Sequence, residues 1–288
     1  MKLGFSVEEL LPKARGGGAL KMGLTALPDD EWLQPDPDLA ARAAAFSAHP
    51  ESVQVLPEAE APAGELAARL GVSGGLELAA RSIWEDLCIL TRREDEEVYR
   101  LAGAAVAFPT DWRPADKLGL PLVALHKPIH GYAEQLASGV DHFMDKLQPG
   151  KAFGRCNWFV APTDALRWVG EPPEQAFAHV TAENAGETLF VRSERQTLSK
   201  LPQTGGVVFT IGVYVAPLGS LSPGNIGHLA EAVATIPPEE AERRGAPHFA
   251  AALQGFAEQH QSRPSRHPEL VSGSISPHEQ PVERRDGC

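Results

Sequence analysis

Two short stretches carry residue types able to do chemistry. In LHKPIHGY, His126 and His130 stand four residues apart where a proline-broken loop enters a helix. A neutral imidazole is a ready axial ligand for heme iron. The same spacing would put both rings on one helix face for a metal, but Pro128 between them opposes a regular helix there. A zinc pair would also need further ligands, and no H-E-x-x-H motif is present. Taken singly, either histidine also fits a loop residue satisfied by backbone. In FVRSERQTL, a strand would place Arg192, Glu194 and Gln196 on one face and Ser193, Arg195 and Thr197 on the other. On FGRCNWF the same alternation groups Arg155 with Asn157. If the two strands are neighbours, a cation, a carboxylate and amides gather on one wall. That wall is either a solvated sheet face with cross-strand ion pairs or a site for a charged or polarised ligand.

Elements to position these residues are readable from pattern. LAARAAAFSAHP and the two stretches of GELAARLGVSGGLELAAR read as helices, the latter pair separated by Val72–Gly75. DLCILTR and YRLAGAAVAFP are short apolar runs bounded by charge or proline, as strands are. KLGLPLVALHKPIHGYAEQLASGVDHFMDKL opens as a Pro-punctuated loop and closes as an amphipathic helix with Leu136, Val140, Phe143, Met144 and Leu147 on one side. FGRCNWFVAP, TLFVRSERQTL and GGVVFTIGVYVAP complete the strands. Two strands, a helical middle and three strands is the order of PAS-type domains. The expected fold is therefore α+β, a PAS-like antiparallel sheet with helices on one face plus a helical N-terminal arm. Residues 1–80 are assigned to the arm and its packing helices, 81–258 to the PAS-like domain, and 259–288 to a disordered tail rich in Ser, Pro, His, Arg and Glu. GGG at 16–18 reads as a flexible turn.

Composition narrows the partners. A formal net charge of −12 argues against nucleic acid or an anionic membrane surface, both of which need a basic face. The three cysteines are far apart, with no C-x-x-C pair and no C-x-x-C-H for covalent heme, which fits a reducing compartment. An acidic N-terminal stretch and the lack of a long apolar run make the cytoplasm the expected location, with no membrane association. Neither a G-x-S-x-G elbow nor a phosphate-binding glycine loop occurs.

The blocks KMGLTALPDDEWL, IWEDLCIL, FPTDWRPADKLGLPLVALHKPIHGY, GRCNWF and RSERQTLSKLPQTGGVVFTIGVYVAPL together resemble, in order, the heme-dependent oxidative N-demethylase alpha-subunit family, over about residues 20–235. The resemblance implies a PAS-like domain that binds heme b non-covalently and oxidises a small secondary amine such as dimethylamine with O2. Electrons would come from an NADPH-dependent reductase, with FMN, a 2Fe-2S cluster and tetrahydrofolate on partner subunits and oligomerisation possible. His126 aligns with the histidine of the family's H-x-P-V-P motif and is the implied iron ligand. His130 stands where the family has proline, and is a second candidate. Glu194 would hold the ammonium, with Arg192 and Gln196 as further catalytic candidates. Arg155, Asn157 and Arg195 are the remaining cofactor-binding candidates. Gly212 in FTIGVY stands where the family often has arginine. A heme-based gas or redox sensor, or a non-catalytic PAS-like binding module, is the competing reading.

Overall fold

A computed structural model describes residues 3–11, 21–35, 37–93 and 95–261. Its centre is a seven-stranded sheet in which every neighbouring pair is antiparallel. The strands are β1 (Thr25–Leu27), β2 (Val53–Val55), β3 (Asp86–Thr91), β4 (Arg100–Ala105), β5 (Ala152–Ala161), β6 (Phe190–Lys200) and β7 (Val207–Pro217), in the spatial order β1-β5-β6-β7-β3-β4-β2. The apolar runs identified from sequence are β3 to β7. The longest pair, β6 and β7, is rich in β-branched residues and joined by LPQTGG. That connection is fixed from outside: the Glu65 carboxylate accepts from the backbone N–H groups of Gln203 and Thr204, both at 2.8 Å.

Register assigns faces, because paired residues point the same way. Leu198 pairs with Phe209, Phe209 with Cys88, and Cys88 with Ala104. This face packs on Leu122, Met144 and Leu147 from the segment between β4 and β5. On the other face, Ile89 pairs with Gly103. A Cβ at Gly103 would lie 3.2 Å from Ala59 and 3.3 Å from Leu76, so the helices Pro57–Arg69 and Leu76–Arg81 press directly on β4 there. The α+β class with an antiparallel sheet is as expected, but helices lie against both faces. Residues 1–80 supply not only helices but both edge strands, β1 and β2. Each edge strand is three residues long, too short to show a two-residue period.

The amphipathic helix forms as Ala137–Lys146, with Met144 buried and His142 exposed. Helices Pro223–Ala234 and Ala250–Gln261 bury Leu229, Val233, Leu253 and Phe256 against Leu189, Val191 and Leu218 at one end of β6 and β7. Residues 259–261 complete that last helix; the rest of the expected tail and the glycine turn at 16–18 lie outside the described residues. Among the described residues no helix is long and apolar enough to cross a membrane.

Candidate functional site

Pro121 starts a single helical turn, Leu122–Leu125, and His126 caps its C-terminal end. The His126 ring folds back so that Nδ1 lies 2.9 Å from the Leu122 carbonyl oxygen. Nδ1 carries the proton in that contact, because a carbonyl only accepts. The neutral ring therefore presents an unprotonated Nε2, the form a metal ligand takes when a backbone carbonyl fixes its tautomer. Burial pushes the imidazole pKa down to about 4, with the Leu122 hydrogen bond opposing and the positive charges of Arg155 and Lys117 adding to the drop. Pro128 stops the helix, and Gly131 reverses the chain at φ 77°, a left-handed value that favours glycine. That reversal returns Tyr132 onto His126, with ring centroids 4.3 Å apart and planes 16° from parallel. His126, His130 and Tyr132 line one cavity of about 650 Å³, together with Val123 and Ile129. His130 is exposed where His126 is half-buried.

Opposite this segment, β5 and β6 bring the polar residues together as alternation requires. Arg155 pairs with Gln196, Asn157 with Glu194, and Phe159 with Arg192. The Glu194 carboxylate is held by neutral donors: the Thr110 hydroxyl at 2.6 Å on Oε1, and the amides of Gln196 at 2.8 Å and Asn157 at 3.4 Å on Oε2. Gln196 in turn accepts from Arg155 Nε at 2.8 Å. A carboxylate has about four acceptor positions, so Glu194 keeps capacity for one further donor. The negative charge of Glu194 acts on three buried guanidiniums, Arg155, Arg192 and Arg244, whose pKa values desolvation draws below the ordinary arginine value. The unfilled acceptor position of Glu194 is one an ammonium could take.

The structure separates the two arginines of RSERQ. Arg192 is fully buried and donates Nε to Thr110 Oγ1 at 2.7 Å, and its Nη atoms to the carbonyls of Phe108, Pro109, Ala165 and Leu166. It clasps the loops 108–110 and 165–166 over the sheet and reaches Glu194 only through Thr110. With its donors taken by backbone carbonyls and Thr110, Arg192 stands as a positioning residue for the carboxylate. Arg195 lies on the opposite face and departs from its expected cofactor contact. It donates to the carbonyls of Glu31 and of Trp32, the latter at 2.9 Å, and its guanidinium sits 4.2 Å from the centre of the Phe5 ring. Seven of the expected residues, His126, His130, Arg155, Asn157, Arg192, Glu194 and Gln196, thus fall on one side of the sheet, and Arg195 on the other.

Among the described residues, no three His, Cys, Asp or Glu side chains converge on a metal site. An iron here would take one ligand from His126 and the others from a macrocycle, which suits a single Nε2 beside a large cavity walled by Val123 and Ile129 as well as by polar side chains such as Lys127 and Glu134. A family model described as haem-dependent oxidative N-demethylase, alpha subunit-like, matches residues 72–254, more than half of the 288-residue chain. The chain belongs to this family. The match takes in β3 to β7, the His126 segment and the whole Glu194 cluster. It makes the protein a member of an oxidative, heme-dependent family.

Sequence reading missed three members of the site. Thr110 links Arg192 to Glu194 from more than eighty positions away in sequence, with no motif to mark it. Tyr132 lies within the conspicuous HKPIHGY block, and its two-residue distance from His130 was the available clue. Arg244 donates to the Trp158 carbonyl and lies over the Trp158 and Phe159 rings at 5.2 and 4.9 Å. It belongs to a surface-like PEEAERR run whose local pattern reads as solvated.

Proposed function

We propose that this chain is the heme-binding catalytic alpha subunit of an oxidative N-demethylase acting on a small secondary amine of the dimethylamine type, with O2 as oxidant and electrons from a separate NADPH-dependent reductase. The observation that carries the reading is a pair: a tautomer-fixed His126 with Nε2 available, and a Glu194 carboxylate on the facing sheet with acceptor capacity left over. His126 would hold the iron of a non-covalent heme b, and His130 lies beside it on the rim of the same cavity. The heme would supply the redox chemistry of the oxidation.

The remaining work falls to this chain's own residues. Glu194 accepts a hydrogen bond from the protonated amine, and Thr110, Asn157 and Gln196 keep its two oxygens aimed. Arg192 holds the Thr110 loop closed over the carboxylate, excluding water from it. FMN, a 2Fe-2S cluster and tetrahydrofolate, which the family resemblance implies, would reside on partner subunits.

The test is an absorption spectrum of heme-supplemented protein with and without dimethylamine. A Soret band that shifts with the amine is expected. A band indifferent to amines but responsive to carbon monoxide would point to a sensor, and no band would overturn the heme reading. His126→Ala is expected to abolish the band and His130→Ala to retain it; the reverse result would move the ligand to His130.

A further inference from the structure

The ring of Tyr132 has a clear use against His126, but its hydroxyl does not. Tyr132 is 5% exposed, and its hydroxyl oxygen is buried with no hydrogen-bond partner among the described residues. A phenylalanine would stack equally well and leave nothing unsatisfied. An unpaired buried hydroxyl is costly, and in a native protein its presence calls for an explanation such as a missing ligand.

The surroundings specify what kind of ligand. Arg155 stands on β5 on the sheet face that packs against this segment, paired with Gln196 two residues from Leu198, which packs with Leu122, and its charge acts on both Tyr132 and His126. Its Nε is on Gln196 and its Nη1 on the Met22 carbonyl at 3.3 Å, while for Nη2 no described residue is the acceptor. Of the acidic groups nearby, Asp141 accepts from the Tyr99 backbone N–H at 3.1 Å. Glu134 is on the exposed rim of the cavity. What is left is a neutral O–H donor and, on the facing sheet, a guanidinium with a free arm, a combination that suits a carboxylate.

We propose that the Tyr132 hydroxyl and Arg155 together bind a carboxylate of the tetrapyrrole held by His126. The inference rests on the heme reading above and adds a residue and a ligand group to it. Tyr132 would then do two things: its ring holds the plane of the His126 imidazole, and its hydroxyl would hold a carboxylate of the bound group and so its orientation.

The experiment compares heme with its dimethyl ester, which lacks the carboxylates, by Soret titration of the parent protein and of Tyr132→Phe, with thermal melting confirming that both are folded. A hydrogen bond to a charged group corresponds to roughly ten-fold or more in affinity. The parent is expected to bind the free acid more tightly than the ester, and Tyr132→Phe to lose about ten-fold for the acid with the ester unchanged. Equal binding of the acid by parent and variant would remove Tyr132 from the carboxylate while leaving the heme reading intact. Equal weakening of acid and ester would mean that the hydroxyl acts on the fold. If the parent binds neither form, the heme reading fails and this inference with it.

Discussion

The two faces of β6 differ in where their buried polar groups lead. Arg192 and Arg195 are three residues apart, both fully buried, and both donate to backbone carbonyls. From Arg192 the hydrogen bonds continue through Thr110 to Glu194, Gln196 and Arg155, whose charge reaches His126. On the Arg195 face they stay among core groups: Thr197 and Thr210 share a bond of 2.6 Å, and Trp32 Nε1 donates to Thr197 at 3.1 Å. Residue type and burial are alike on the two faces. A buried polar ladder becomes a candidate site when its chain of partners leads to a side chain able to hold a ligand, such as His126, and becomes a structural clamp when it leads to backbone carbonyls and core side chains.

The largest effect that would sharpen this contrast is on the closed face. Arg195→Ala leaves the carbonyls of Glu31 and Trp32 without donors and removes the contact with Phe5, so a loss of about 2–4 kcal/mol in urea unfolding is expected. Heme uptake by the folded fraction is expected to stay at the parent level. A variant of normal stability with an altered Soret band would erase the distinction between the faces.

A smaller stability change with a larger functional one is expected on the open face. Glu194→Gln keeps the side-chain shape, its oxygen can still accept from Gln196 and Asn157, and its amide can donate to the Thr110 hydroxyl, so stability should change by about 1 kcal/mol or less. The charge-assisted bond to an ammonium is lost, and dimethylamine affinity, read from the Soret shift, should fall at least roughly ten-fold. Unchanged amine titration would remove Glu194 from substrate binding.

How much of this contrast could be read in the sequence follows from the same physics. The alternation in RSERQTL correctly divides the face of Arg192, Glu194 and Gln196 from that of Arg195, because a strand's period is fixed by backbone geometry. β3 to β7 are legible because each is long enough to show an apolar run with boundaries. β1 and β2 are not, and neither is the helical cover of the second face, since which helix packs on which side depends on chain crossings and not on local pattern. By residue type and local pattern His126 and His130 look alike, and only the resemblance to the family's H-x-P motif singles out His126. In the structure the Leu122 carbonyl and the Tyr132 ring tell them apart, and the second of these contacts depends on the reversal at Gly131.

Two buried carboxylates carry the contrast to its finest scale. Glu194 has three neutral donors, whereas Glu85, fully buried near Arg195, accepts from the Gln34 backbone N–H at 2.7 Å on one oxygen and leaves the other buried without a partner. Burial raises the Glu85 pKa, against the opposing pull of that hydrogen bond and of the Arg195 and Arg42 charges. Because the folded-state value lies above the unfolded one, the folded protein holds a proton that the unfolded chain releases above about pH 4.3. Glu85 therefore favours folding at low pH, and that contribution is lost as pH rises through its raised value. Glu85→Gln removes this dependence. Urea midpoints measured from acid to neutral pH should show the variant gaining on the parent as pH increases. A difference that stays constant across the range would mean that Glu85 ionises as an ordinary glutamate and that the closed face tolerates a free charge as readily as the open one.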